Sequence, residues 1–189
     1  MAVLDPVLVL ATAMQSSRGA YALLIGSGVS RGAGIPTGWD VTLDLVRRVA
    51  ERRGVDCSAD PVAWFESEYG DQPSYSKLLG DLARTATERR QLLREYFEPS
   101  EEEALDGLKT PGPAHKAIAR LVKRGHIRVI LTTNFDRLLE RALDEEGIAP
   151  QVVASVDAVK GMLPLAHSGC TVVKLHGDYL TRNPEIGPP

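Results

Sequence analysis

The sequence predicts an α/β fold with a mainly parallel sheet between layers of helices, and two observations carry that expectation. Short apolar runs of strand length, at Tyr21–Ile25, Ile127–Thr132 and Cys170–Leu175, each end in a polar or glycine-containing turn. From Pro113 onward these runs alternate with segments of helical periodicity, the order that builds parallel βαβ units. A chain of 189 residues suits one domain with a single core. Its 43% hydrophobic and 25% charged content is that of an ordinary globular protein.

Asp5-Pro6 reads as an N-cap followed by proline at the first helical position. Val7, Leu10, Ala11 and Met14 then share one helical face, which predicts a helix over residues 6 to 17. Tyr21–Ile25 has the continuity of a strand buried on both faces, and it runs into the turn Gly26-Ser27-Gly28. Missing side chains at such a turn let backbone N–H groups approach a ligand closely. A strand, a glycine turn and a helix form a common phosphate pocket, although the same turn can bind nothing. The spacing here is neither Gly-x-Gly-x-x-Gly nor a P-loop, and Asp44 falls inside a helical pattern, away from the strand end where a ribose-binding acid belongs. An ordinary dehydrogenase is disfavoured.

Thr37 to Arg53 predicts a second helix, with Trp39, Leu43, Val46 and Ala50 inward and Arg47, Arg48, Glu51 and Arg52 largely outward. Residues 54 to 110 carry no strand pattern. Helices are expected from Asp60-Pro61 to Tyr69, from Ser74 to Arg84 and from Glu88 to Phe97, with a short piece after the capping-box spacing Ser100–Glu103. This is an all-helical insertion over part of a cleft, and its acidic cluster Glu98, Glu101, Glu102 and Glu103 reads as a solvated helix start.

Alternation then resumes. Ala114 to Lys123 is a helix with Ile118, Leu121 and Val122 on the core side, followed by the strand Ile127–Thr132. Phe135 to Glu146 is a helix with Leu138, Leu139, Ala142 and Leu143 inward. Val152 to Ser155 is a short strand, Val156 to Met162 a short helix and Cys170 to Leu175 a strand. The last residues, Thr181 to Pro189, hold no element able to close a sheet, and the expectation is an N-terminal fragment of a longer protein.

Several function classes recede on composition. A net charge of −3 gives no reason to expect direct nucleic-acid binding. No apolar run is long enough to cross a bilayer, and Asp5 and Pro6 interrupt the N-terminal stretch, which makes a poor signal peptide. Cys57 and Cys170 lack the spacing of a metal knuckle or a disulfide framework, so no metal is expected and a reducing cytoplasm is the expected location.

Parallel sheets bind ligands at the carboxyl ends of their strands. Three such ends carry polar groups: Gly26-Ser27-Gly28, Thr132-Thr133-Asn134-Phe135-Asp136 and Leu175-His176-Gly177-Asp178. Asn134 or Asp136 could simply cap the next helix, and His176 could be structural, but three clusters expected at one rim favour a shared site. His115 shares an apolar helix face with Ile118 and Val122 and reads as a satisfied core histidine. Asp178 could cap or bind, Trp39 and Trp64 suit the core, and His126 and His167 receive no role.

These residues resemble a family. Gly26-Ser27-Gly28-Val29-Ser30 with Gly34-Ile35-Pro36 is similar to the Gly-Ala-Gly-x-Ser…Gly-Ile-Pro signature of the sirtuins. Thr132–Asp136 looks like their Thr-Gln-Asn-x-Asp, Leu175-His176-Gly177 like their Leu-His-Gly, and His115 matches loosely their histidine after a proline. The resemblance is closer to the divergent SIR2-like domains of bacterial antiphage defence proteins, where Thr-Thr-Asn-Phe/Tyr-Asp with a nearby Glu (here Glu140) and Lys-Leu-His-Gly-Asp occur in this order. It runs from about residue 21 to 180.

The departures are specific. Sirtuin deacylases continue Gly-Ile-Pro with Asp-Phe-Arg, whereas this chain has Thr37-Gly38-Trp39; they carry Gln where Thr133 stands, and a four-cysteine zinc module after the histidine. Here the chain ends thirteen residues past His176. The resemblance therefore implies a Rossmann-like three-layer domain that hydrolyses NAD+ at the nicotinamide–ribose bond, through the cationic state typical of glycoside cleavage. By analogy, Gly26, Ser27, Gly28 and Ser30 grip the phosphates and nearby ribose. Asn134 orients ribose and water, and Asp136 and Ile35 hold the carboxamide. Thr37 and Trp39 shape the nicotinamide side, and Pro36 and Thr133 complete the cofactor-binding set. His176 is the general base, a role suited to imidazole with its ordinary pKa of about 6.5. The resemblance further implies a C-terminal sensor or regulatory domain, on the chain or on a partner protein, and a homo-oligomer as the active state. The alternatives are an NAD-dependent protein deacylase and a non-catalytic module that binds NAD or ADP-ribose.

Overall fold

The computed structural model describes residues 4–180. Helix α1 (Pro6–Ser16) starts as expected, with the Asp5 carboxylate accepting the Val7 N–H at 2.9 Å. Strand β1 (Tyr21–Ile25) follows, then a four-residue helix α2 (Gly28–Arg31) and α3 (Gly38–Arg52). The insertion contributes α4 (Pro61–Tyr69), α5 (Tyr75–Leu82), α6 (Ala86–Phe97) and α7 (Glu101–Leu105). Then come α8 (Pro113–Lys123), β2 (Ile127–Thr132), α9 (Leu138–Glu145), β3 (Gln151–Val153), α10 (Val156–Lys160) and β4 (Thr171–Lys174). The segment after Leu180, where the end of a fragment was expected, lies outside the described residues.

All four strands are parallel, in the order β1-β2-β4-β3. This mixed architecture agrees with the Rossmann-like α/β expectation. Two hydrophobic clusters hold it together. One lies between the sheet and α8 and α9, where Ile127, Ile130, Leu143 and Val172 are all 0% exposed. The other joins α3 to α4, α5 and α6 through Val41, Leu45, Val46, Phe65, Leu78, Leu93 and Phe97. Burial of side chains this size contributes roughly 1.5–3 kcal/mol each relative to exposure.

Three sequence expectations are corrected. Strand β1 is not buried on both faces: it lies at the sheet edge, with Tyr21 37% and Leu24 71% exposed. An apolar run reports that a strand can be covered, and here the described residues supply a neighbour on one side only. Trp39 is 52% exposed rather than inward. The buried stripe of α3 runs through Val41, Thr42, Leu45, Val46 and Ala50, and Trp39, in the first turn, stands before it. Finally, α9 begins at Leu138 and not at Phe135. The Asp136 Oδ1 accepts the Leu138 N–H at 3.0 Å, and the carbonyls of Phe135 and Asp136 accept from Lys174 Nζ. Side chains thus engage the backbone that a helical turn would have used.

Candidate functional site

The sheet sets the site because neighbouring strands end level with one another. Ile25 pairs with Thr132, and Thr132 pairs with Lys174. The ladder continues one step beyond the strands: the Thr133 N–H donates to the Ile25 carbonyl at 3.2 Å, and the Leu175 N–H to the Thr132 carbonyl at 2.8 Å. The three polar clusters therefore leave the sheet side by side. A Cβ built on Gly26 would stand 3.4 Å from Thr133 Oγ1, so the first two turns are in near contact.

At this rim lies a cavity of about 220 Å³, lined among others by Ser27, Ile35, Pro36, Thr133, Asn134, Asp136 and His176. These are seven of the residues singled out from the sequence, brought together from three distant segments. Gly26, Gly28, Ser30 and Thr37 stand behind or beside this lining. Thr37 caps α3: its hydroxyl accepts the Asp40 N–H at 3.2 Å while Asp40 Oδ2 accepts the Thr37 N–H at 2.9 Å. The helix after the glycine turn is a single short turn, so the long dipole expected behind a phosphate is absent there.

Ser30, fully buried, connects the rim to the interior. The Gly112 N–H donates to His115 Nδ1 at 3.2 Å, which leaves the proton of the neutral ring on Nε2. Nε2–H then donates to Ser30 Oγ at 3.2 Å, and Asn134 Nδ2 donates to the same oxygen at 3.0 Å. Burial holds the His115 imidazole below its ordinary pKa, against an opposing attraction from Asp136. His115 is a satisfied interior histidine, as its helix face suggested, and it braces the serine that orients Asn134. The Asn134 backbone N–H is tied to Thr132 Oγ1 at 3.0 Å, so both ends of this residue are fixed. Its Oδ1, buried at the cavity wall, has no hydrogen-bond partner. An unsatisfied buried carbonyl oxygen costs roughly 1–3 kcal/mol, and a hydroxyl or a water in the cavity would satisfy it.

The remaining wall is aromatic. Phe135 stacks on Tyr75 with ring centroids 6.0 Å apart and lies 6.1 Å from the His176 ring, with Phe97 at 6.3 Å. His176 is exposed to solvent at the mouth. Tyr75 and Phe97 come from the insertion, and nothing local in the sequence marks them as lining residues. A volume of 220 Å³ is below the roughly 300–1,000 Å³ of sites that enclose a drug-sized ligand. It suits one ring and its sugar rather than a whole dinucleotide. A larger hollow of about 770 Å³, bordered by Phe97, Arg137, Arg141 and Leu180, touches none of Ser27, Asn134 and His176.

Below the rim sits a charged cluster that periodicity does not reveal. The Lys174 side chain is 0% exposed, and its Nζ lies 3.0 Å from both Glu140 Oε1 and Asp178 Oδ2. Arg137 Nε stands 3.7 Å from the same Asp178 oxygen. Among the described residues no group of three or more His, Cys, Asp or Glu side chains is placed to hold a metal. No helix among them is long and apolar enough to cross a membrane.

Comparison with known families agrees with the motif resemblance. Residues 128–186 match a family model described as a SIR2-like domain. That span includes Thr133, Asn134, Asp136, Lys174 and His176, and the glycine turn lies before it. No curated protein matches the chain.

Proposed function

We propose that this protein binds NAD+ and hydrolyses it to nicotinamide and ADP-ribose. The observation that carries the reading is the meeting of Asn134, with its unpartnered Oδ1, and His176 on one ring-sized cavity beside Ser27. The match of residues 128–186 to the SIR2-like family supports an NAD-related activity.

In this reading the nicotinamide ring enters against Phe135 and Ile35, with its ribose toward Asn134. The bond from ribose C1′ to the ring nitrogen breaks, and nicotinamide leaves as a neutral base with the bonding electrons. The sugar carries the positive charge in an oxocarbenium-like state. Asn134 Oδ1 accepts a hydrogen bond from the attacking water or a ribose hydroxyl. A water oxygen bonds to C1′ and its proton passes to His176, a step worth about 10²- to 10⁴-fold for a placed base. The aromatic wall keeps bulk water away from the cation, and the phosphates extend past Gly26-Ser27-Gly28. As an effector in bacterial antiphage defence, the domain would be restrained until a sensor region or self-association completes its site.

Nicotinamide release from NAD+ by the purified full-length protein, with Asn134→Ala and His176→Ala beside it, tests the proposal. Turnover by the wild type and a fall of about 10²-fold or more in both variants, each shown to be folded, is expected. Nucleotide binding without nicotinamide release would favour a binding module. Release that depends on an acylated peptide would favour a deacylase.

A further inference from the structure

We propose that Lys174 is a positioning residue that holds the Asn134 loop and the His176 loop in register. The inference deepens the functional reading above and rests on it for the pairing of those two side chains.

The geometry is unusual for a structural ion pair because half of it is backbone. Lys174 Nζ donates to the Asp136 carbonyl at 2.6 Å and the Phe135 carbonyl at 3.2 Å, the two peptide groups that follow Asn134. It also donates to Asp178 Oδ2 at 3.0 Å and stands 3.0 Å from Glu140 Oε1. Three acceptors take the three ammonium protons, all on the loops that carry the site or directly follow it, and the Glu140 carboxylate adds an ion-pair contact. Glu140, on α9, anchors the arrangement to the helix.

The same residue fixes the histidine from the other side. Lys174 is the last residue of β4, and its carbonyl accepts the Gly177 N–H at 3.1 Å, closing the turn Lys174-Leu175-His176-Gly177. Gly177 has φ +80°, a left-handed conformation that glycine adopts without strain. Asp178, the next residue, then folds back on the Lys174 side chain. One residue thus begins the turn that presents His176 and clamps the residue that ends it. It also reaches across to the neighbouring strand end, where Thr132 is its register partner. The Asn134 and His176 side chains come from different loops, and this ammonium is a direct polar link between those loops.

A compact, flexible cation is needed at this point. A guanidinium plane presents its donors in a rigid fork and does not reproduce a point contact with four converging oxygens. Neutral methionine fills the stem's volume but takes the ammonium from between Glu140 and Asp178, leaving the Arg137 guanidinium, 3.7 Å from Asp178, as a more distant cation.

The test uses the full-length protein and three variants: Lys174→Arg, Lys174→Met, and Lys174→Met combined with Glu140→Gln and Asp178→Asn, which neutralises the two carboxylates that face the ammonium. Melting and NAD+ affinity are measured beside kcat, KM and the pH–rate profile. For the triple variant the expected result is a folded protein whose kcat falls by about 10²-fold, the scale of a loss near 1 Å in alignment. Its KM should change much less, and the pH limb should be displaced. Full kcat with an unmoved pH profile in a folded triple variant overturns the proposal. Should the triple variant fail to fold, Lys174→Arg decides by the same criterion. If the wild type releases no nicotinamide, the functional reading fails by itself. The positioning claim is then read by NMR: the Asn134 side-chain amide and the His176 ring must shift together on substitution of Lys174, and unmoved resonances overturn it.

Discussion

The middle of the sheet and its β1 edge carry parts of the same site, yet they are built very differently. Strands β2 and β4 are paired on both sides, and Ile130 and Val172 are 0% exposed under α8 and α9. Strand β1 is paired along one side among the described residues, and Leu24 is 71% exposed. Helix α1 nearby exposes Val7, Leu8, Val9 and Leu10, and its Met14 is half-buried against the sheet cluster. The difference teaches that the loops bearing Asn134 and His176 are set by a closed core, whereas the glycine turn hangs from an open edge. Beyond the β1–β2 ladder, the Asn134–Ser30–His115 chain of hydrogen bonds ties the two together.

The largest expected effect breaks the closed half. Ile130→Ala, measured by denaturant unfolding, should destabilise the fold by about 2–5 kcal/mol. Leu24→Ala, on the same kind of residue at the edge, should stay within about 0.5 kcal/mol. Equal losses at the two positions would mean that the edge is covered in solution.

A smaller effect sharpens the seam between the halves. His115→Phe removes the acceptor of the Gly112 N–H and one of the two donors to Ser30 Oγ, and should cost about 1–3 kcal/mol. The pH dependence has a definite sign. Burial holds the folded-state pKa of His115 below that of the unfolded chain, so the unfolded state binds the proton more readily. Stability from this group is complete above about pH 6.5 and is lost as pH falls below it. Melting temperature followed from pH 8 to pH 5 should fall more steeply for the wild type than for His115→Phe. Parallel curves would show that the ring carries no such linkage.

The smallest effect concerns the closed half again. Burial pushes the Cys170 thiol up to about 11, so at pH 8 only about one molecule in a thousand carries the reactive thiolate. A thiol reagent should label Cys170 after denaturation and leave it unlabelled in the native protein over the same time. Rapid native labelling would indicate that the strand opens locally.

Much of this was legible in the residues. Apolar runs that stop at Gly26, Thr132 and Leu175 located the three strand ends, and polar groups at those stops located the rim. What escaped detection depended on neighbours distant in the chain. The exposure of β1 is decided by what lies beside it, which an apolar run does not encode. The late start of α9 follows from Lys174 reaching the carbonyls of Phe135 and Asp136 across the sheet. Tyr75 and Phe97 reach the cavity from an insertion whose helices have ordinary periodicity. Lys174 itself looks like a charge at a strand terminus, where solvation is the usual expectation; only the convergence of Glu140, Asp178 and two carbonyls makes its burial tolerable.

The parallel pairing of β1 with β2 has a consequence for biosynthesis. The partner of Tyr21–Ile25 begins at Ile127, so about a hundred residues leave the ribosome before the first strand can dock. At roughly 5–20 residues per second the delay is on the order of 5 to 20 s. Throughout that interval the segment from Val7 to Ile25 travels as a nascent, water-exposed greasy tether, a natural target for chaperones waiting at the exit tunnel.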